Sequence, residues 1–138
     1  MSDPNKLMLE VVTPGRQVLS AEVDEVILPS VDGYMGVQPG HAPLLAMLEV
    51  GELSYRLGTE QRFMTVTGGF AEVQRNSVSV LAKASELAEE IDLQRAERAK
   101  EEAERAMGDP AEEQRFKIAE YKMRRALTRI RVHGRRLD

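Results

Sequence analysis

The density of charged residues changes abruptly near Ala84, and this change limits how the chain can fold. From position 85 to the C-terminus, 26 of 54 residues are charged, and only two glycines and one proline interrupt a helical pattern. The preceding residues are rich in β-branched side chains and are divided by Gly and Pro into short runs. We therefore predict an α+β chain with a β domain over 1–84 and a helical domain over 85–138.

The first domain contains several short runs in which apolar and polar residues alternate. These runs are Leu7–Val11, Val23–Leu28, Glu52–Leu57, Arg62–Thr67, Phe70–Gln74 and Ser77–Leu81. Short strands separated by turn residues predict an antiparallel β-sandwich or flattened barrel. Gly68-Gly69 and Arg75-Asn76 are predicted to be tight turns, because Gly and Asn tolerate positive φ angles.

A segment rich in Gly and Pro stands apart from these runs. Three glycines and two prolines within 33–43 predict a contorted loop. Four apolar residues follow it directly: Leu44, Leu45, Met47 and Leu48. One interpretation is a loop that leads into a core strand. The alternative is a docking surface for a partner, formed by Tyr34, Met35 and His41.

The first helix is predicted over about 92–107. Asp92 suits the N-cap, and Gly108 suits the position just beyond the last turn. Small residues recur on one face at spacings of three and four: Ala96, Ala99, Ala103 and Ala106. A narrow stripe of this kind suits close packing against a second helix.

The second helix is predicted over about 110–132. Asp109 can be its N-cap, Pro110 occupies the first helical position, and Glu112 can complete a capping box. Its apolar stripe consists of Phe116, Ala119, Met123, Ala126 and Ile130. The two stripes predict an antiparallel hairpin. Alanine buries little area, so four of them contribute only a few kcal/mol at about 25 cal/mol per Å², and the hairpin should be able to change its packing.

Charge is distributed unevenly along the chain. Residues 1–84 and 85–107 each carry a net charge of −4, whereas 108–138 carry +4, and these values sum to the overall −4. The opposite signs of the two helical segments favour packing on each other or on charged partners.

Several classes of chemistry lack their sequence motifs. The chain has no cysteine, no P-loop, no dinucleotide-binding glycine motif and no nucleophile elbow. Its two histidines, His41 and His133, have no metal-ligand spacing. No signal peptide or membrane span is evident. We therefore expect a chain with no catalytic residues, no required cofactor and no metal, working in a reducing compartment.

Three sequence segments, taken in order, resemble the epsilon subunits of bacterial F-type ATP synthases. They are ILPSVDGYMGVQPGHAPLLAML at 27–48, TVTGGFAEVQRNSVSVLA at 65–82 and IDLQRA at 91–96. The resemblance covers essentially the whole chain, and PGHAPLL at 39–45 is its most specific part.

The resemblance implies a rotor subunit in the central stalk of a proton-translocating synthase, on the cytoplasmic face of the bacterial inner membrane. The β domain would bind the gamma subunit and the c ring, and only the complex would contact the membrane. The helical domain would be an arm that extends into the alpha–beta head and inhibits ATP hydrolysis. Four arginines of that arm would then meet acidic surfaces of the head: Arg124, Arg125, Arg129 and Arg131.

The IDLQRA segment also resembles a motif of family members that bind ATP on the folded hairpin. By position, the regulatory nucleotide would lie among Glu86, Ile91, Asp92, Arg95, Ala96, Arg125 and Arg129. Glu102 stands where these members carry a basic phosphate contact. Two other functional classes stay open from the sequence: a free-standing nucleotide sensor, and a nucleic-acid-binding module that uses the basic second helix. Aromatic residues, the usual stacking groups for bases, make up only 4% of the chain.

Overall fold

Eight strands and two helices make up the part of the chain that the computed structural model describes, residues 3–108 and 113–137. The strands are β1 (Leu7–Thr13), β2 (Arg16–Val23), β3 (Glu25–Ser30), β4 (Gly33–Val37), β5 (Leu44–Leu57), β6 (Glu60–Val73), β7 (Ser77–Ala82) and β8 (Ser85–Leu87). A 3₁₀ turn over Ala88–Glu90 leads into the helices α1 (Leu93–Ala106) and α2 (Glu113–His133). The predicted α+β class, a β domain followed by two helices, is confirmed.

The strands form one hydrogen-bonded sheet that folds over itself. Its order is β2-β1-β7-β6-β5-β3-β4, and β8 pairs with β6. Neighbouring strands are antiparallel except β1 and β7. The long strands β5 and β6 pair in one unbroken register, from Leu44 opposite Val73 to Leu57 opposite Glu60. One end of this ribbon pairs with β7, and the other pairs with β3 and β8, which produces two layers.

Two adjacent glycines redirect the long ribbon between the layers. Gly68 and Gly69 have φ angles of 68° and 108°, which residues with a Cβ atom rarely adopt. The side chains that enter the core change from even to odd positions across these glycines: Met64, Val66, Ala71 and Val73. A Cβ atom at Gly69 would also lie 2.1 Å from the carbonyl oxygen of Leu81. The predicted tight turn is therefore wrong: β6 continues through the two glycines as one kinked strand.

The Gly- and Pro-rich segment contains more regular structure than predicted. Residues 33–37 form β4, so the predicted loop is confined to 38–43. The predicted entry into a strand at Leu44 is confirmed, but Leu45 and Met47 point outward rather than into the core. The short strands β2, β4 and β8 were not predicted. Arg75-Asn76 does connect β6 to β7, closed by a 2.8 Å bond from the amide of Gln74 to the oxygen of Ser77. Asn76 does not adopt the positive φ angle on which the prediction relied.

The core of the β domain is aliphatic and lies between the two layers. Its largest fully buried side chains are Leu7, Leu9, Leu28, Leu53 and Met64, surrounded by valines. Within the described residues, no buried side-chain polar atom lacks a hydrogen bond. The β domain therefore combines a fully buried aliphatic core with satisfied polar groups.

The predicted start of α1 is confirmed. Asp92 is the N-cap, and its carboxylate accepts a 3.1 Å hydrogen bond from the amide of Arg95. Gly108 follows the C-cap residue Met107, and its amide donates to the oxygen of Arg105 at 3.2 Å. The capping signals proposed for α2 at positions 109, 110 and 112 lie outside the described residues.

The alanine stripes meet at the middle of the hairpin, but in the predicted α1 stripe Ala99 is only half-buried and Ala106 is exposed. Ala96 and Ala103 of α1, and Ala119 and Ala126 of α2, are at most 3% exposed. Larger members of the α2 stripe are only half-buried, namely Phe116, Met123 and Ile130. The seam is close but thin, because its fully buried members are mostly methyl groups.

Asp24 joins three separate parts of the β domain. Its carboxylate pairs with Lys6 and accepts a 2.6 Å hydrogen bond from the amide of Gly58, while Arg56 lies 3.8 Å away. The hydrogen bond from Lys6, then that from Gly58, holds the pKa of Asp24 below its usual value. The same contact with Asp24 raises the pKa of Lys6.

We predict that Asp24→Asn lowers the free energy of unfolding at neutral pH but has little effect in acid. The folded-state pKa of Asp24 is depressed, so its stabilisation is present above the unfolded-state pKa of about 3.9 and is lost as the pH falls through the folded value. Urea unfolding of both proteins between pH 7 and pH 2 measures this. Asp32→Asn, in an exposed turn, is the control. An equal gap between wild type and Asp24→Asn at every pH would contradict the assignment.

Candidate functional site

Three arginine–glutamate pairs hold the helical arm, α1 and α2, against the β domain. Arg129 forms two hydrogen bonds to Glu86, at 2.7 and 3.1 Å. Arg124 pairs with Glu49 at 2.7 Å, and Arg135, just beyond α2, pairs with Glu52 at 3.1 Å. We call these three pairs the latch. All three arginines come from one end of the arm, and the glutamates come from β5 and β8.

A small apolar cluster lies beside the latch. It contains the buried side chains of Ala88, Ile91 and Val132, with Phe63 packed against them. The guanidinium carbon of Arg135 lies 4.5 Å from the centre of the Phe63 ring, a cation–π contact.

Of the latch pairs, only Arg124–Glu49 is exposed on both sides, and such a pair contributes about 0.2–1 kcal/mol. In the other two pairs, the side chains of Arg129 and Glu52 are only 19% and 12% exposed. A fully buried Val adds about 1.5–3 kcal/mol. The arm is therefore attached by a few kcal/mol.

The turn between β8 and α1 is fixed separately from the latch. Glu90 accepts hydrogen bonds from Arg16 of β2 at 2.8 Å and from the amide of Leu87 at 3.0 Å. The contact with Arg16 is the main reason that the pKa of Glu90 lies below its usual value. Release of α2 can therefore leave the base of α1 in place.

A cationic cleft opens between α1 and α2, with a volume of about 640 Å³. Its apolar lining consists of five alanines and Ile118. Six basic side chains line it: Arg95, Arg105, Arg115, Lys122, Arg125 and Arg129. Among the described lining residues, Glu102 is the one acid. The arrangement suits an anion whose charge is spread along its length.

The structure brings together some of the predicted nucleotide-site residues and separates others. Arg95, Arg125 and Arg129 line the cleft as a group. The described lining does not include four other candidates: Glu86, Ile91, Asp92 and Ala96. Glu86 is bound to Arg129, Asp92 caps α1, and Ile91 and Ala96 are buried.

Sequence reasoning missed three of the cationic residues that line the cleft. They are Arg105, Arg115 and Lys122, nearer the tip of the hairpin. Arg115 and Lys122 lie four and three residues from Ala119, so their spacing places them beside the seam. Arg105 has no such spacing, and only the packed hairpin shows that it lines the cleft.

The four arginines predicted for the inhibitory arm have different environments in this conformation. Arg124 and Arg129 belong to the latch, and Arg125 and Arg129 line the cleft. Arg131 is exposed on α2.

An exposed apolar row crosses three strands of the β domain, on the face away from the core. Met47 lies opposite Phe70, and Phe70 lies opposite Leu81. Their exposures are 55%, 37% and 47%, and Leu45 extends the row at 65%. A contiguous apolar row on a charged protein is typical of a partner surface. Sequence reasoning placed Leu45 and Met47 in a core strand and missed the row.

The predicted docking residues lie elsewhere, at the β4 edge of the sheet. Tyr34 is 60% exposed, and its hydroxyl accepts a hydrogen bond of 3.4 Å from the amide of Glu52. Met35 is half-buried against the core. His41 lies in the loop 38–43, where its Nδ1 is 2.7 Å from the oxygen of Ala42. The edge strand keeps its outward backbone groups available to a partner.

Within residues 3–108 and 113–137, neither helix has both the length and the apolar character of a membrane span. The same residues contain no group of three or more His, Asp or Glu side chains placed to hold a metal ion.

Comparisons with known proteins match both parts of the chain. Residues 6–88 match the family described as ATP synthase, Delta/Epsilon chain, beta-sandwich domain. Residues 89–134 match the family described as ATP synthase, Delta/Epsilon chain, long alpha-helix domain.

Individual relatives agree with the family matches. An ATP synthase epsilon chain of Syntrophobacter fumaroxidans is 44% identical over 92% of this chain and 95% of its own length. One from Solibacter usitatus is 49% identical over 78% of this chain and 81% of its own length. A chain in the cryo-EM structure of the Euglena gracilis mitochondrial ATP synthase superposes with a TM-score of 0.80 at 24% identity, covering 93% of this chain and 81% of that one. At that identity the superposition shows a shared fold.

Proposed function

The chain belongs to the ATP synthase delta/epsilon chain family, and we propose that it acts as a non-catalytic rotor subunit of a bacterial proton-translocating ATP synthase. In this role it transmits rotation of the c ring to the catalytic head. The observation that carries the proposal is a β domain with a fully buried core and an exposed apolar row, joined to an arm attached by only a few kcal/mol. The complex sits on the cytoplasmic face of the inner membrane, and the chain contacts the membrane only through the complex.

Two surfaces of the β domain are assigned to two partners. The apolar row around Phe70 docks on the gamma subunit, since it offers area that becomes buried in a permanent assembly. The β4 edge, with Tyr34 and Met35, and the adjacent loop with His41, faces the c ring. Tyr34 is bulky and uncharged, so the contact there depends little on salt.

The arm is the regulatory element. In the docked conformation, the latch neutralises Arg124 and Arg129 with glutamates of the β domain. When the arm extends along gamma, these arginines, with Arg125 and Arg131, become available to acidic surfaces of the alpha and beta subunits, and ATP hydrolysis is inhibited. The three latch pairs and the small apolar cluster suit an equilibrium between a docked and an extended arm. The free energy lost when these contacts break is small enough to be offset by new contacts of the extended arm with the head.

The cleft is the proposed site for regulatory ATP. Arg95 from α1, with Arg125 and Arg129 from α2, can hold the phosphates from both sides and so join the two helices. A ligand that joins the two helices stabilises the closed hairpin by mass action, while its contact with Arg129 competes with the Glu86 pair of the latch. We assign this site to a rotor subunit rather than to a free-standing nucleotide sensor. The reason is that the chain matches both the beta-sandwich and the long alpha-helix domains of the family. Among the described residues, no contact favours the nucleic-acid alternative.

We predict that Phe70→Gln weakens binding to gamma by about tenfold or more, since truncating a central aromatic residue of an interface costs more than about 1.4 kcal/mol. Titration calorimetry with purified gamma measures it. Leu127→Gln is the matched control, because Leu127 on α2 is also 37% exposed. Equal binding by the two variants, with unchanged melting temperatures, would exclude the row as the docking surface.

We predict that ending the chain after Ile91 raises ATP hydrolysis by the assembled enzyme, because the inhibitory arm is then absent. We also predict that weakening the latch lowers ATP hydrolysis, because the arm then extends more often. Glu49→Gln, Glu52→Gln and Glu86→Gln combined should shift the arm toward extension by about tenfold. Glu22→Gln, Glu60→Gln and Glu72→Gln combined remove equal charge away from the arm. Unchanged hydrolysis by a fully assembled enzyme with the shortened chain would refute an inhibitory arm.

We predict that ATP binds to the full chain and that Arg95→Gln weakens this binding by about fivefold or more, because a charge-assisted contact to phosphate is lost. Arg98→Gln is the matched control: Arg98 is an exposed α1 residue that is not among the described lining residues. Calorimetry with millimolar ATP measures both. Absence of heat with the wild-type chain would remove ATP from the proposed function.

A further inference from the structure

We propose that Tyr34 is a positioning residue for the helical arm. It holds the part of β5 from which Glu52 binds Arg135, so that the β4 edge and the latch are coupled. The coupling is a property of the chain itself. Its extension to a partner that covers the β4 edge rests on the proposed function, in which that edge faces the c ring.

The side chain of Tyr34 reaches across the sheet to the backbone of β5. The regular pairing of β3 with β5 is interrupted after Ile27, beside Gly51 and Glu52. There the amide of Glu52 donates a 3.4 Å hydrogen bond to the Tyr34 hydroxyl. A Cβ atom at Gly51 would lie 3.1 Å from that hydroxyl oxygen and 2.8 Å from the Cβ atom of Pro29. The missing side chain at Gly51 therefore lets the hydroxyl of Tyr34 approach the β5 backbone.

Glu52 contacts Tyr34 through its main chain and holds the arm through its side chain. Its carboxylate accepts a 3.1 Å hydrogen bond from Arg135, whose guanidinium also lies over the Phe63 ring. The side chain of Glu52 is only 12% exposed, so water replaces the pair poorly when the carboxylate moves. Arg135 lies just beyond α2, three residues after the buried Val132. A displacement of the Glu52 main chain thus weakens the attachment of α2.

Another latch pair on the same strand provides an internal reference. Glu49 binds Arg124 at 2.7 Å, but the two side chains are 43% and 46% exposed. An exposed pair of long side chains adjusts to a small shift of the backbone and contributes little free energy. We therefore expect the Tyr34 hydroxyl to act on the arm through Arg135 and not through Arg124.

The outer part of the Tyr34 side chain is open to a partner. Tyr34 is 60% exposed, although its hydroxyl contacts β5. A c ring that packs on the exposed part of the phenol group confines the hydroxyl to its place on β5, and so favours the docked arm. By thermodynamic linkage, the docked arm strengthens binding at the β4 edge by the same factor. Contact with the c ring therefore opposes extension of the arm.

Thiol labelling measures release of the arm in the full chain. The sequence has no cysteine, so Val132→Cys introduces a single thiol, at a buried position of the apolar cluster beside the latch. A thiol reagent reaches this position only when α2 leaves the β domain, so the labelling rate is proportional to the released fraction. Val78→Cys is the control, because Val78 is fully buried in the β-domain core and a thiol there is labelled only on global unfolding.

Tyr34→Phe keeps the aromatic ring and removes the hydroxyl. It should raise the labelling rate of Val132→Cys by about twofold or more and leave that of Val78→Cys unchanged. Combined with Arg135→Gln it should cause no further increase, whereas its effect should multiply with that of Arg124→Gln. Gly51→Ala, which displaces the hydroxyl without removing it, should also raise the labelling rate of Val132→Cys.

Three results would overturn the coupling. The first is an equal labelling rate of Val132→Cys with and without Tyr34→Phe. The second is an effect of Tyr34→Phe that multiplies with Arg135→Gln as it does with Arg124→Gln. The third is a parallel rise in the labelling rate of Val78→Cys, because Tyr34 would then stabilise only the fold.

Detergent-purified c rings test the extension to the partner. They should slow labelling of Val132→Cys, and they should have no such effect when Arg135→Gln is present. Rings that bind without slowing the labelling would overturn the extension. Rings that do not bind would remove the c-ring contact from the proposed function and this extension with it. The coupling within the chain would then still be decided by the labelling rates of the variants.

Discussion

The kinked ribbon of β5 and β6 is the constraint on which the rest of the molecule depends. Its unbroken register supplies both layers of the sandwich, since one end pairs with β7 and the other with β3 and β8. The arm also docks on it: Glu49 and Glu52 come from β5, Phe63 comes from β6, and Glu86 lies on the β8 strand that pairs with β6. The kink at Gly68-Gly69 thus determines the core and the place of the arm together.

The β domain and the helical arm are stabilised by different kinds of contact. The β domain has fully buried leucines and valines, whose removal costs several kcal/mol each. The arm has a seam of buried alanines, three partly exposed ion pairs and one small apolar cluster. A change in solution conditions that is too small to unfold the β domain can therefore shift the arm away from its docked position. In the proposed function, this marginal packing lets the arm leave the β domain while the β domain stays folded.

The sequence predicted those features that depend on short-range physics. Asp92 caps α1 as expected, and the alanine spacing predicted the helix seam, because caps and helical periodicity act within a few residues. The prediction of a turn at Gly68-Gly69 was wrong. A positive φ angle is compatible with a turn or with a kinked strand, and pairing with the neighbouring strands determines which of the two forms. Leu45 and Met47 were misplaced for the same reason: strand alternation does not state which face is inward. The cleft forms only where α1 and α2 pack together, so three of its six basic residues were not predicted from the sequence.

Arg129 connects the two functional regions of the arm, because the same guanidinium belongs to the latch and to the cleft. It is only 19% exposed and makes two hydrogen bonds to Glu86. An anion that recruits Arg129 must compete with Glu86, while its contacts to Arg95 and Arg125 close the hairpin. The net effect of the anion on the arm is the free energy gained by closing the hairpin minus the free energy lost with the Glu86 pair. Thermodynamic linkage makes this effect reciprocal: if the ligand changes the docking equilibrium of the arm by some factor, docking of the arm changes the ligand's affinity by the same factor. In the proposed function, Arg129 is therefore the side chain that links the cleft to the β domain.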